Sequence, residues 1–390
     1  MPSMTRRRAL AAAVGVATGT AGCTALTDDD EFPVERAWRS GLDEPAGVAT
    51  TDGGQLLAGS TSPFTDDPLV AALDATTGDI TWTVTVEKGL KSPVAVADQR
   101  AYAFSMAETA VAVDATSGDV VWQTPLQAVD AADPGVADFA PIPLDDSVVL
   151  PISGTEDDVP DRLLALERDT GEERFTHDLA ASLSGPPARA DSGVIAPLVD
   201  GRVVALDATG RVQWTHEVGA PLSGVSATDG LAVVGAATEE LLAFDADAGQ
   251  VTWRGSLQNT VFAPPLVTSQ RVYAGGADYV LRAFDAASGR ELWRDELANA
   301  ITHGPFLVGD RLVTLVGGDR RVRGHSGTIP FSPTTLYVHE RDGTRVREVR
   351  LDAGYVDGGQ LLWLQPAGDA VYLGQTFALS KVAPEAITDA

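Results

Sequence analysis

An eleven-residue pattern, Ala-x-Asp-x-x-x-Gly-x-x-x-Trp, recurs along the chain and constrains its fold more than any other feature. The first copy is Ala72, Asp74, Gly78 and Trp82, and the second is Ala112, Asp114, Gly118 and Trp122. Ala165, Glu167, Gly171 and Phe175 make a conservative third copy. Ala205, Asp207, Gly210 and Trp214 make a fourth, one residue short in the turn. Ala243, Asp245, Gly249, Trp253 and Ala283, Asp285, Gly289, Trp293 complete the clear set. The acidic anchors at 74, 114, 167, 207, 245 and 285 lie 40, 53, 40, 38 and 40 residues apart. A degenerate seventh copy over 337–346 keeps Glu340 and Gly343 and has no Trp. A period of this size marks a repeat architecture. It overrides the two or three domains that 390 residues would otherwise imply.

Each period reads as four short strands. In 89–126 these are Pro93–Val96, Ala101–Phe104, Ala110–Val113 and Val120–Thr124, with an Asp98-Gln99 turn between the first two. The motif Asp can accept backbone N–H bonds in the turn joining the third strand to the fourth, and its Gly supplies the positive φ of a tight hairpin. The Trp has a large apolar body to bury against the neighbouring unit, and the small Ala leaves room for an indole. Four strands at a period near 40 predict a β-propeller.

Ring closure sets the blade count. After the seventh unit, Leu361–Leu364, Ala370–Leu373 and Phe377–Val382 give three more strands and no fourth. The missing strand is at the other end of the chain, in Val34–Arg39, which carries its own Trp38. Pairing it with the last three strands removes the open edges of the ring. The expectation is therefore an all-β fold, a single eight-bladed propeller over 34–382, with 383–390 as a tail. A seven-bladed ring is the alternative.

The first residues have a different character. Arg6, Arg7 and Arg8 precede a short run of small, apolar residues from Ala9 to Gly22. This is the layout of an export signal, here of twin-arginine type, and it is too short to span a bilayer as a helix. Thr20-Ala21-Gly22-Cys23 resembles a lipobox, with Thr20 where bacterial examples usually carry Leu. The expected boundaries are a signal at 1–22, lipid attachment at Cys23 and an acidic tether over 23–33.

Charge narrows the function further. There are 55 acidic and 28 basic residues, a formal charge of −27, with 44% hydrophobic residues to build a core. Loss of residues 1–22 removes three arginines and no acids, giving −27 − 3 = −30. Such a surface argues against nucleic acid, which demands a basic face. Lys occurs only at 88, 91 and 381, and Asn only at 259 and 299. This profile resembles proteins of extreme halophiles, whose carboxylate-rich surfaces are screened by salt. A single cysteine excludes a disulfide framework and a cysteine-based zinc site.

The motif resembles the tryptophan-docking, or pyrroloquinoline-quinone-like, repeat of quinoprotein propellers. WD40 repeats share the period but not the signatures. The resemblance implies one of two branches: quinone-dependent dehydrogenases, or cofactor-free propeller lipoproteins that bind partner proteins. The first branch implies pyrroloquinoline quinone with Ca²⁺, and its classical members add an adjacent-cysteine disulfide that this chain lacks. An anchored chain of eight blades looks like the second. Expected partners are an extracytoplasmic protein or a small ligand, with the chain a monomer on the outer side of the cell membrane. A solute-binding sensory module is a further alternative.

Candidate site residues lie in loops. The short turns of each unit fall on one face, whereas the long connections 60–68, 127–135, 154–161 and 318–333 fall on the other. In the last of these, Arg320, Arg321, Arg323 and His325 form a cationic cluster suited to an anionic ligand or acidic segment. Gly324–Thr328 approaches a nucleophile elbow, but Thr328 takes the final Gly position and no helix follows. The five histidines at 177, 216, 303, 325 and 339 have no zinc spacing. Asp66-Asp67 and Glu156–Asp158 form no complete Ca²⁺ ligand series. No catalytic or metal residue is assigned.

Overall fold

A computed structural model describes residues 35–388 apart from 52, 61–69, 86–88, 91, 106–108, 127–138, 155–160, 219–221, 237–238, 262, 318–332 and 351–360. The strands of each sequence period pair only with one another, giving eight four-stranded antiparallel sheets. Blades 1 to 7 span 45–84, 95–125, 142–178, 188–217, 222–256, 266–296 and 301–350, and blade 8 spans 361–382 with a strand from the chain's start. The first strand of every blade touches the first strands of both neighbours, including blade 8 to blade 1. First strands therefore form the inner wall of the ring, and the Trp-bearing fourth strands form its rim.

The inner wall explains the proline placement. Pro45, Pro93, Pro143, Pro186, Pro265, Pro305 and Pro366 lie in or just before the inner strands. An inner strand is a sheet edge, where a missing N–H costs no ladder bond and discourages further pairing. Neighbouring backbones crowd together there: a Cβ added to Gly224 would come within 2.6 Å of Pro186 and 2.7 Å of Pro264.

The ring has eight blades and closes as the sequence implies. Arg36–Ser40 pairs antiparallel with Ala378–Val382, setting Trp38 opposite Lys381 and Ser40 opposite Leu379. Trp38 then packs over Gly78 of blade 1, and its Nε1 donates to the Ala75 carbonyl at 3.1 Å. The seven-bladed alternative is excluded because the last three strands and the first complete a sheet of their own.

The motif works as a turn and as a dock. Asp74 Oδ1 accepts the N–H groups of Thr76 and Thr77 at 2.7 and 3.0 Å. These bonds hold the Asp74 carboxyl below its ordinary pKa. Ala72 pairs directly opposite Trp82, and Ala283 opposite Trp293, so the small residue makes room across the ladder. The glycine does more than supply a φ near +70°. Its bare Cα is the floor on which the previous blade's Trp lies: Trp82 on Gly118, Trp214 on Gly249, Trp253 on Gly289 and Trp293 on Gly343. The indole N–H is anchored as well, Trp214 to the Ala246 carbonyl at 3.0 Å and Trp253 to that of Ala286 at 2.8 Å.

One seam departs from this rule, and the topology supplies the reason. Ala383 N donates to Glu35 O at 2.8 Å, the bond that Asp74 N makes to Asp79 O at 2.9 Å. Ala383 is therefore the anchor position of blade 8. There the chain enters one helical turn, Glu385–Thr388, instead of a glycine turn leading to a fourth strand. Without that glycine a Trp in blade 7 would have no floor, and Arg347 stands at its position, opposite Val338. Arg347 instead donates to the carbonyls of Glu385 and Ala386 at 3.1 and 2.9 Å. Ile387, 2% exposed, joins the core formed by Val338 and Leu373.

Candidate functional site: a charged cleft on the turn face

Strands alternate in direction, so the turns from first to second strand and from third to fourth share one face. On that face blades 2 and 3 build a cleft from their turn residues. Asp98 and Gln99 have φ of 47° and 59°, forming the tight hairpin that the sequence predicts there. Arg100 begins the next strand, pairs opposite Asp114, and reaches across the seam to blade 3. Its Nη1 lies 2.5 Å from Asp169 Oδ1 and 2.7 Å from the Arg168 carbonyl. The same carbonyl accepts Trp122 Nε1 at 2.9 Å, so indole and guanidinium are fixed on one oxygen.

Arg168 follows the Glu167 anchor and turns inward. Its guanidinium meets Asp98 at 2.7 Å, the Tyr102 hydroxyl at 3.0 Å and the Asp145 carbonyl at 3.1 Å. Burial works against its charge, but the bonds to Tyr102 and Asp98 prevail and raise its pKa above the ordinary value. Hydrogen bonding to Asp169 likewise raises that of Arg100. Arg174 lies 3.7 Å from Glu167 and 4.0 Å from Asp146, and Arg189 of blade 4 lies 2.6 Å from Asp145.

The two charge signs occupy different depths. The side chains of Arg168, Arg100 and Arg174 are 11%, 29% and 30% exposed, and those of Asp98, Asp146 and Asp169 are 78%, 80% and 84% exposed. Arginines form a braced floor and carboxylates the rim of a cleft of about 460 Å³. Its lining contains five acids and three arginines, a formal charge of −5 + 3 = −2. A ligand meets the carboxylates first. Arg100 and Arg168 below are held by carbonyls and keep that rim in place, so the arrangement suits a cationic group from a polypeptide.

Two further polar clusters are buried in the seams. Arg282 and Asp278, 1% and 5% exposed, pair at 2.7 Å. Arg282 stands three residues before its anchor, where other blades have Ala71, Val111, Leu164, Val204 and Leu242. His339 is fully buried, with Nε2 2.8 Å from Asp295 Oδ2, and Arg345 Nε lies 2.9 Å from the same oxygen. Burial pushes the His339 pKa down despite that carboxylate. His303, on the inner strand of blade 7, is pushed down to about 4 by burial. His216 meets Phe244 edge-on at 5.1 Å in an outer strand, and His177 occupies the matching place in blade 3. Among the described residues, no three His, Cys, Asp or Glu side chains are grouped to hold a metal ion.

Cys23, Arg320, Arg321, Arg323 and His325 lie outside the described residues, as do Asp66-Asp67 and Glu156–Asp158. The cleft was missed because loop length drew attention to the opposite face. Its available signal was the turn Glu167-Arg168-Asp169, where Arg follows the anchor.

Eight four-stranded blades, docked indole on glycine at six of their eight seams, define a propeller of the quinoprotein-like, tryptophan-docked class. No helix among the described residues is long and apolar enough to cross a membrane. The family described as outer membrane protein assembly factor BamB matches residues 34–157, 157–229 and 199–363, and the chain belongs to it. Among solved structures, the chain is similar to BamB from Moraxella catarrhalis at 15% identity and a TM-score of 0.64, covering 89% of this chain and 99% of that one. It is similar to the computationally designed Ika8 protein with the same identity and coverage and a TM-score of 0.66. At that identity both likenesses bear on the fold alone. No curated protein matches the sequence.

Proposed function

We propose that this protein is a non-catalytic, partner-binding propeller, exported and held by a lipid on Cys23 at the outer side of the cell membrane. In this reading the cleft of blades 2 and 3 docks a cationic segment of a partner protein. The observation that carries it is the separation of charge by depth: exposed Asp98, Asp145, Asp146 and Asp169 stand over a floor of internally braced arginines. Family membership supports a binding role, and a rigid ring needs no cofactor to present such a cleft. The charge of −27 is in keeping with a salty exterior, where long-range repulsion is screened and short-range pairing at a shaped site persists.

The test is cell-surface crosslinking with mass spectrometry, comparing the parent chain with an Asp98→Asn, Asp145→Asn, Asp169→Asn variant. Partners crosslinked by the parent and lost in the variant support the reading; an unchanged set refutes the cleft as the docking site. Cys23→Ser tests the anchor: the protein should leave the membrane fraction, and a variant that stays there refutes lipidation. The cationic loop over 319–328 is a second proposed contact, for an anionic ligand, through Arg320, Arg321, Arg323 and His325. Unchanged partners after replacing its three arginines with Ala would remove it.

A further inference from the structure

The outer strand of each blade is a sheet edge, along which every second N–H and C=O lacks a ladder partner within the blade. Six of the eight outer strands carry charged residues, as Glu217 does in blade 4 and Arg254 in blade 5. Such charges discourage an edge from pairing with another chain. Val120–Pro125 of blade 2 has none, but it ends in Pro125, which has no N–H to give. Of the eight outer strands, only Ile80–Val84 of blade 1 is free of charge, Pro and Gly.

This edge alternates in character. Thr81, Thr83 and Thr85 are exposed, whereas Trp82 is half-buried and Val84 is buried. Ile80, at the head of the strand, is 45% exposed. Asp79, the charge just before it, is turned back on its own turn, where the Thr77 hydroxyl donates to Oδ2 at 2.8 Å. The bulge beside Thr81 recurs in blades 1 to 7 and distinguishes none of them, and from Trp82 to Val84 the register is regular. Run antiparallel to itself about Thr83, the segment is self-complementary. Thr83 meets its counterpart, Thr81 meets Thr85, and Trp82 meets Val84. Thr–Thr and aromatic–β-branched pairs are favourable partners across a ladder.

Charge points to the same occupant. Two copies at −27 each repel wherever their acidic surfaces face, and the repulsion is least where both facing strands are neutral. We infer that the protein associates with a second copy of itself through twofold antiparallel pairing of Ile80–Val84, a contact strengthened by salt. The pairing joins two four-stranded blades into one eight-stranded sheet and uses up the edge, so association stops at two chains. The monomer expected from the sequence is then the low-salt form. Neither proposed docking site needs to bind anything for this to hold.

The test is sedimentation velocity on the full chain carrying Cys23→Ser, so that no lipid drives association, in about 0.1 M and about 3 M KCl. The expected result is one chain at the lower salt. At the higher salt the mass should rise reversibly with concentration to two chains and no further. Thr83→Lys puts a charge at the centre of the pairing and should raise the dimer dissociation constant by roughly tenfold or more. Thr215→Lys adds the same charge at the matching exposed place in blade 4 and should leave that constant unchanged, which separates edge pairing from net charge. With Cys23→Ser, a Thr83→Cys chain has a single thiol, and a short bismaleimide should link two copies through it but not through Thr215→Cys. A one-chain mass at both salts, a mass that grows past two chains, or equal effects of the two Lys variants would overturn the inference. Linkage of Thr83→Cys to a different protein at the cell surface would overturn it as well, by giving the edge to a foreign strand.

Discussion

Gly289→Ala tests the docking rule most directly. Two effects meet at this residue. Its φ of +68° costs an L-residue about 1–2 kcal/mol. Its new Cβ would also lie 2.6 Å from Trp253 Cδ2, an overlap that either the ring or the turn must absorb at about 1–3 kcal/mol. The sum is a loss of about 2–5 kcal/mol. Gly230 isolates the first effect, because its φ is +74° and nothing lies within 4 Å of an added Cβ. Gly230→Ala should therefore cost only about 1–2 kcal/mol. Trp253→Ala removes a nearly buried indole and its bond to Ala286, costing about 3–5 kcal/mol. In that background Gly289→Ala should fall to the Gly230 value, a coupling of about 1–3 kcal/mol. Denaturant midpoints at constant m give all four numbers. Equal costs at Gly230 and Gly289, or a Gly289 cost unchanged without Trp253, would show that the indole does not rest on that glycine.

Three other outcomes are expected. The folded state holds the His303 pKa near 4 against an ordinary 6.5, so its contribution is complete above about pH 6.5 and is lost as pH falls toward 4. Denaturation at stepped pH should show a loss on the order of 2 kcal/mol across that window, and His303→Gln should flatten it. Asp278→Ala leaves a buried guanidinium with only Glu291, at 3.8 Å, as an acidic partner and should cost about 3 kcal/mol, whereas Arg282→Leu with Asp278→Asn should be near neutral by melting; a neutral Asp278→Ala would contradict the pairing. Arg347→Ala removes two charged-donor bonds to the last helical turn and should cost about 1–3 kcal/mol. Proteolysis should then begin after residue 383, and an unchanged cleavage pattern would argue that Ile387 alone holds the turn.

The ring was legible in the sequence because its determinants are local. Asp74 and Gly78 act within one turn, and Trp38 in a stray strand announced the closing blade. What the glycines carry was less legible, since Gly118 and Trp82 belong to different copies of the motif and meet only across a seam. The missing Trp of the seventh copy looked like decay. It is a consequence of Ala383 entering a helical turn, which leaves Arg347 no glycine to face. The cleft was hidden for a related reason: Arg100, Arg168 and Asp98 read as scattered surface charge until two blades bring their turns together. The cationic loop at 319–328 stood out by composition alone, which says nothing of what surrounds it.

The pairing of Arg36–Ser40 with Ala378–Val382 also dictates an order of events. The strand that seals the ring is among the first portions of the propeller to be made, and its partner among the last. More than 330 residues must be in place before the two can meet, so closure carries the largest loop entropy in the molecule. Until then blades 1 and 7 can form from local hairpins, with an unpaired seam between them that exposes strand edges and an undocked indole. The interval before closure is therefore when this chain is most open to mispairing, and the time taken to find one strand sets its length.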